Sequence, residues 1–318
     1  MRVAIVGAGA VGLGLGATLY QGGMPPRILA RDPQTRRALE SGGLVHRGLF
    51  GDVRVPPNSI PLDADFTSLA RNPVDVLLVC TKTTASREVA RHLEAAGLSG
   101  RDGPDLVLCQ NGWGNAEIFS EKIPEQRIFN ARIITGFHRK APTEVEVTAH
   151  AQPISMGSLF GVDASRLGPL CDSLCRGGIA SQLSRDIASD LWAKMLYNCA
   201  LNPLGALLDL SYGELARRPG PRLVLEAVVR EIFAVLEASG RSTAWKDAAA
   251  YLKVFFRDLL PPTQQHHSSM LQDLRAGRRT EIDALCGEIV RLGTREHVPT
   301  PVNAALKTLI EARHPGAH

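Results

Sequence analysis

The sequence is short of the features that would commit it to a membrane, a nucleic acid or a metal. No apolar run reaches the roughly 20 residues that a bilayer-spanning helix requires. The apolar start is interrupted by glycine and lacks the organisation of a secretion signal. Lysine and arginine number 36 against 32 aspartates and glutamates, and the two signs are interspersed over 318 residues with a formal net charge of +4. There is therefore no basic arm and no basic stripe interleaved with aromatics to grip a nucleic acid. The six cysteines, Cys80, Cys109, Cys171, Cys175, Cys199 and Cys286, are scattered. Cys171 and Cys175 stand at helical spacing rather than that of a zinc knuckle, and no histidine pair completes a site. His266 and His267 are adjacent, and adjacent side chains on a helix point in different directions. The cysteines read as reduced, small buried apolar groups, and no metal is expected. Internal repeats and low-complexity linkers are also missing. These absences lead to the expectation of a cytoplasmic protein without nucleic-acid or membrane partners, with a homodimer left open.

What is present organises two domains. A chain of 318 residues exceeds what one core usually holds together, and 44% hydrophobic content supports two. Val3-Ala-Ile-Val6 is an apolar, β-branched run of the kind buried on both faces of a parallel sheet. Gly7-Ala8-Gly9-Ala10-Val11-Gly12 follows, then a small-residue helix from Leu13 to Gly22 and a second strand from Arg27 to Ala30. A lone Gly-x-Gly-x-x-Gly is weak, but here it lies between a strand and a helix, the context of a dinucleotide-binding turn. Gly7 permits the tight turn, Gly9 lets the backbone approach a pyrophosphate, and Gly12 allows close helix–strand packing.

The end of the second strand selects the cofactor. An acid there would bind the ribose 2′-hydroxyl of NAD, whereas an arginine pairs with the 2′-phosphate of NADP. Arg31 stands first and favours NADP(H), while Asp32-Pro33 looks like a turn or helix cap; the alternative is that Arg31 is a solvated surface charge. Val74–Cys80 and Asp105–Cys109 are further strands, followed by Thr81-Lys82-Thr83 and Gln110-Asn111-Gly112-Trp113-Gly114. Ligands of open α/β sheets lie beyond the carboxyl ends of strands, so Lys82 and Asn111 stand where a nicotinamide ring and its substrate would meet. Asn-Gly is also a strong turn signal, and Lys82 reads equally as a loop cation. Strand-like pieces at 127–134, 143–150, 154–157 and 179–183 continue the sheet in a more antiparallel manner, and from Asp186 the periodicity is helical, with helices expected at 223–239, 244–259 and 281–296. The fold expected is α/β: an N-terminal dinucleotide-binding domain at 1–185 and an all-α domain at 186–318.

In that second domain Lys194, Asn198 and Asn202 recur every fourth residue. On one helix face they make a polar stripe roughly 12 Å long at ~1.5 Å rise per residue. The residues between them are mostly apolar, so the stripe needs either a satisfied network or a ligand, such as a small polar anion.

The fingerprint, Cys80-Thr-Lys82, Gln110-Asn111-Gly112, Lys194-x-x-x-Asn198-x-x-x-Asn202-Pro203, Ser268-Ser269-Met-Leu-Gln-Asp273 and Gly277-Arg-x-Thr-Glu281-Ile-Asp283 occur in this order along essentially the whole chain. The ordered set resembles the ketopantoate reductase (2-dehydropantoate 2-reductase) family. The resemblance implies a Rossmann domain joined to a helical domain, an active site in the cleft between them, and NADPH-dependent reduction of 2-dehydropantoate to (R)-pantoate in pantothenate biosynthesis. It puts Lys194 in the place of the acid that polarises and protonates the carbonyl oxygen, and Glu281 in that of a carboxylate orienting the lysine or the substrate hydroxyl. Asn111, Asn198, Asn202 and Ser269 correspond to substrate-binding groups. The fingerprint residues, Arg31, Lys82 and Asn111 correspond to cofactor contacts. Taken alone, Glu281 is equally an acid at a helix start, and Ser269 a cap or turn hydroxyl. Two other functions remain open: a related NAD(P)-dependent 2-hydroxyacid dehydrogenase differing only in its pocket, and a non-catalytic NADP-binding redox sensor. Rates on a panel of keto acids separate the first, and intact cofactor affinity without turnover would mark the second.

Overall fold

Alternate residues of the central strands enter two different cores. Val3, Ile5, Val76, Leu78, Val107 and Phe129 pack on one side, and Ala4, Val6, Leu77, Val79, Leu106, Leu108 and Ile128 on the other. Burial on both faces explains why these strands read as unbroken apolar runs.

The computed structural model describes residues 1–314 and divides into two compact units, Met1–Gln110 with Asn115–Ile187, and Asn111–Gly114 with the residues from Ala188 onward. The boundary thus falls after Ile187, and the short segment Asn111–Gly114 groups with the helical unit.

In the first unit the strands are β1 (Val3–Val6), β2 (Arg27–Leu29), β3 (Leu44–Gly48), β4 (Val53–Val55), β5 (Leu62–Asp63), β6 (Val76–Val79), β7 (Asp105–Leu108), β8 (Ile128–Arg132), β9 (Thr135–Ala141), β10 (Glu144–His150), β11 (Ile154–Gly157) and β12 (Ser181–Leu183). The helices are α1 (Ala10–Gln21), α2 (Pro33–Gly42), α3 (Phe66–Ala70), α4 (Ser86–Ala95), α5 (Asn115–Ser120) and α6 (Gly168–Arg176). Eight strands form one sheet in the order β12-β11-β8-β7-β6-β1-β2-β5. Pairing is parallel from β5 to β8, while β11 runs antiparallel to β8. The chain leaves β1 for β2 on one side and later returns to β6 on the other, so the order reverses between β1 and β6, the switch point at which such sheets bind ligands.

A second sheet, β4-β3-β10-β9, was not anticipated as a separate layer. The expected strand at 143–150 exists as β10, but it pairs antiparallel with β9 and parallel with β3 rather than extending the main sheet. Gly14 of α1 lets this layer approach, since a Cβ there would come within 2.3 Å of the Phe137 ring on β9.

The second unit contains α7 (Ile187–Leu208, whose first residue closes the preceding unit), α8 (Tyr212–Arg217), α9 (Pro219–Ala238), α10 (Ala248–Val254), α11 (Ser269–Arg275), α12 (Cys286–Arg295) and α13 (Pro301–Glu311). Pro203 lies inside α7. It has no N–H to give the carbonyl four residues back, which is that of Cys199. The Cys286 thiol lies 3.9 Å from that oxygen as a weak donor and ties α12 to α7 at this point. The helix expected from Glu281 begins later: a 3₁₀ turn at Ile282–Ala284 precedes α12. No helix among the described residues is long and apolar enough to cross a membrane.

Candidate active site

The first unit places the fingerprint at the β1 carboxyl end. Gly7 has φ +111°, a conformation open to glycine, and its backbone lies against Cys80 and Thr81 at the end of β6. A Cβ on Gly12 would stand 2.0 Å from the Gly7 carbonyl oxygen, so this position cannot carry a side chain without moving the turn. Gly9 caps α1 and faces open space, with nothing within 4 Å of where a Cβ would be. Three consecutive requirements are met: a tight turn, a close helix–strand approach, and an uncluttered helix N-terminus whose first N–H groups lack intrahelical acceptors.

Arg31 follows β2 and donates from Nη1 to Glu88 on α4. Glu88 is held below the usual carboxylate range chiefly by this hydrogen bond. Asp32 accepts from the backbone N–H groups of Gln34 and Thr35 and so caps α2. Lys82 is exposed, and its own carbonyl accepts from Gln110 Nε2 at 3.3 Å. The same amide nitrogen donates to the Thr81 carbonyl at 3.1 Å and lies 3.0 Å from Ser86 Oγ, which donates to Asn115 Oδ1 at 3.1 Å. This buried network fixes the backbone that presents Lys82.

In the second unit, Lys194, Asn198 and Asn202 all lie on α7. Lys194 Nζ donates to Asn111 Oδ1 at 2.7 Å, and Asn111 Nδ2 donates to Glu281 Oε2 at 3.1 Å. Three devices bring Asn111 there. Gly112 has φ +83°, and a Cβ on it would meet the Ala284 carbonyl oxygen at 2.2 Å. The Trp113 N–H donates to that oxygen at 2.9 Å. The Trp113 ring stacks on Trp192, two residues before Lys194, with centroids 4.6 Å apart. Glu281 is only 7% exposed and precedes the 3₁₀ turn rather than an α-helix. Its accepting hydrogen bond determines which end of the Asn111 amide faces the lysine: the oxygen.

Asn198 is half-buried, and Asn202 is buried with Oδ1 accepting from Tyr212 Oη at 2.6 Å. Ser269 is exposed on the first turn of α11, while its neighbour Ser268 is the cap, accepting from Leu271 N at 3.1 Å. The structure therefore joins Lys194, Asn111 and Glu281 directly and leaves Asn198 and Ser269 outside that hydrogen-bonded group.

Residues 3–160 match the family described as Ketopantoate reductase PanE/ApbA, and residues 186–314 match Ketopantoate reductase PanE/ApbA C terminal. The chain belongs to the ketopantoate reductase family. A 2-dehydropantoate 2-reductase of Aquifex aeolicus (strain VF5) is 32% identical over 317 residues, covering 98% of this chain and 97% of that protein. The crystal structure of a PanE/ApbA family ketopantoate reductase from Ralstonia eutropha JMP134 superposes with a TM-score of 0.83 at 29% identity, covering 98% of each chain. D-mandelate dehydrogenase, solved with NADH and anilino(oxo)acetate, shares the fold at 22% identity, with a TM-score of 0.86 over 100% of this chain and 99% of that one. As a member of the ketopantoate reductases the chain is an oxidoreductase with an α/β N-terminal part and a helical C-terminal part.

Sequence reasoning assigned no role to Gln110, Ser86, Glu88 or Tyr212. Gln110 follows β7 beyond the carboxyl edge of the sheet, the same signal that selected Asn111. The capping box at Ser211 and Glu214 is legible as Ser-x-x-Glu and marks where Tyr212 starts a helix, but its pairing with Asn202 is a tertiary event.

Proposed function

We propose that this protein reduces 2-dehydropantoate to (R)-pantoate with NADPH, in pantothenate biosynthesis. The observation that carries the reading is the chain of hydrogen bonds Lys194–Asn111–Glu281. Reduction of a 2-keto acid adds a hydride to the carbonyl carbon and a proton to its oxygen. A reduced nicotinamide, when bound, supplies the hydride. Lys194 supplies the proton: its ammonium polarises the carbonyl, and as the π pair moves onto oxygen the N–H bond breaks toward it, leaving a neutral amine that solvent reprotonates. Asn111 holds the ammonium in place, and Glu281 acts on Lys194 through the Asn111 amide. Asn202, Asn198 and Ser269 bind the oxygens of the substrate. The turn from Gly7 to Gly12 suits a dinucleotide because only Gly9, where phosphate would approach, is free of neighbours. Arg31 favours the 2′-phosphate, and Lys82 adds positive charge on the cofactor side.

Steady-state rates with 2-dehydropantoate against a panel of 2-keto acids, using NADPH and NADH, test the reading. The expected result is the highest kcat/KM with 2-dehydropantoate and NADPH. Lys194→Ala is expected to lower kcat about 10²–10⁴-fold while leaving NADPH affinity intact. A clear preference for a different keto acid would make the protein a related 2-hydroxyacid dehydrogenase, and near wild-type kcat in Lys194→Ala would remove the assigned acid.

A further inference from the structure

Asn202 is 7% exposed and spends its amide oxygen on the Tyr212 hydroxyl at 2.6 Å. Its Nδ2 makes no hydrogen bond to the described residues. Both N–H donors of this amide therefore stay available to solvent or to a ligand. Tyr212 is itself 4% exposed and tightly seated. Its backbone N–H donates to the His266 carbonyl at 3.0 Å, and that of Gly213 to the Gln264 carbonyl at 2.9 Å. The Ser211–Glu214 capping box fixes the turn from which it projects, and its ring packs edge-on to Tyr197 with centroids 6.0 Å apart.

We propose that Tyr212 is a positioning residue for the keto-acid site: by donating its hydroxyl proton to Asn202 Oδ1 it fixes the amide so that the NH₂ end serves a substrate oxygen. This rests on the proposed reduction, in which Asn202 binds the 2-keto acid. An amide free to flip would present its oxygen half of the time and repel a carboxylate. Against the neutral phenol, which has a proton and needs an acceptor, one orientation alone satisfies both groups. Burial pushes the Tyr212 phenol far above its ordinary range, so it remains a donor at any working pH.

Tyr212→Phe and Asn202→Ala, made singly and together, test this in the full-length enzyme. The readouts are KM and kcat for the 2-keto acid that wild type reduces best, NADPH affinity by titration, and melting temperature. Tyr212→Phe is expected to raise KM about tenfold with kcat changed by less than about threefold and NADPH affinity unmoved, because it leaves the acceptor unpaired and the amide unfixed. In the Asn202→Ala background the same substitution should add no further rise in KM. An unchanged KM in Tyr212→Phe, or KM increases that multiply in the double variant, would overturn the role. If Tyr212→Phe does not fold, Asn202→Asp carries the test, since it keeps an acceptor toward Tyr212 and replaces the NH₂ with oxygen. Its KM should rise at least about tenfold, and a wild-type KM would overturn the proposal. A wild-type enzyme that turns over no 2-keto acid overturns the proposed function and this role together, whereas turnover with an independent double variant overturns this role alone.

Discussion

At the scale of single residues, the contest is between partners for the same charged group. Arg31 pairs with Glu88, but the two side chains are 46% and 43% exposed. Such a pair contributes about 0–1 kcal/mol and is easily exchanged. A 2′-phosphate offers the guanidinium a more highly charged acceptor, with a charge-assisted hydrogen bond of about 1.5–3 kcal/mol. Magnitude therefore favours the phosphate over Glu88. Arg31→Ala should weaken NADPH on the order of tenfold to a hundredfold and leave NADH nearly unchanged, while Glu88→Gln should tighten NADPH by removing the competing carboxylate. Fluorescence titration of both variants with both cofactors decides it, and equal weakening of NADPH and NADH by Arg31→Ala would make the arginine structural. The position of Arg31 was legible because it follows a strand that the fingerprint locates. Glu88 was not, because it stands 57 residues away on another element.

At the scale of elements, the β1–α1 turn separates two reasons for glycine. A Cβ on Gly12 meets backbone at 2.0 Å, while a Cβ on Gly9 meets nothing within 4 Å. Gly12→Ala must move the turn, and overpacking of this kind costs about 1–3 kcal/mol. Gly9→Ala has no such clash. It should fold with a melting temperature close to wild type and yet lose at least about tenfold in NADPH affinity, because in the proposed cofactor site the methyl group would stand where a pyrophosphate approaches. Thermal melts with and without NADPH read both effects, and wild-type binding by Gly9→Ala would move the phosphate site elsewhere. The same turn shows what made elements legible. The strands β1, β6 and β7 are buried on both faces and so announce themselves as apolar runs. β9, Thr135-Gly-Phe-His-Arg-Lys-Ala141, is half-exposed over nearly its whole length and lacks an apolar run, and its membership of a second sheet depends on partners that local pattern does not specify. The helix expected from 244 begins at Ala248 because the Asp247 side chain accepts from Ala250 N and sets the cap there. Among the candidate site residues, Lys194, Asn198 and Asn202 were readable as one helix face, but Asn111 and Glu281 meet across 170 residues of sequence, a pairing that only folding reveals.

At the scale of the whole molecule, charges are so evenly mixed that the response to pH belongs to a few individual groups. Asp32, Asp65, Asp75, Asp209 and Glu214 are held below their ordinary values mainly by hydrogen bonds from cap or turn residues, backbone groups or arginine. A carboxylate depressed in the folded state adds stability that is present above its unfolded value near 4 and is lost as pH falls through the folded one. These groups therefore act only in strong acid. His46 and His150 shift down for a different reason, the burial that disfavours the imidazolium. His46 on β3 is the extreme case at 1% exposure, and neither ring nitrogen has a hydrogen-bond partner among the described residues. As pH falls through about 6.5 the unfolded chain takes up these protons first, so stability decreases from there down to the lowered folded values. Above about pH 7 the curve should be flat, and between pH 6.5 and 5 each such histidine adds a slope of at most about 1.4 kcal/mol per pH unit. Denaturant melts between pH 5 and 8 measure that slope. His46→Leu removes one of the protons while keeping an apolar side chain of similar size in the second sheet, and should flatten the acid limb by up to that amount. An acid limb identical to wild type would show that His46 releases no binding site for a proton on unfolding, and that another buried group sets the acid sensitivity.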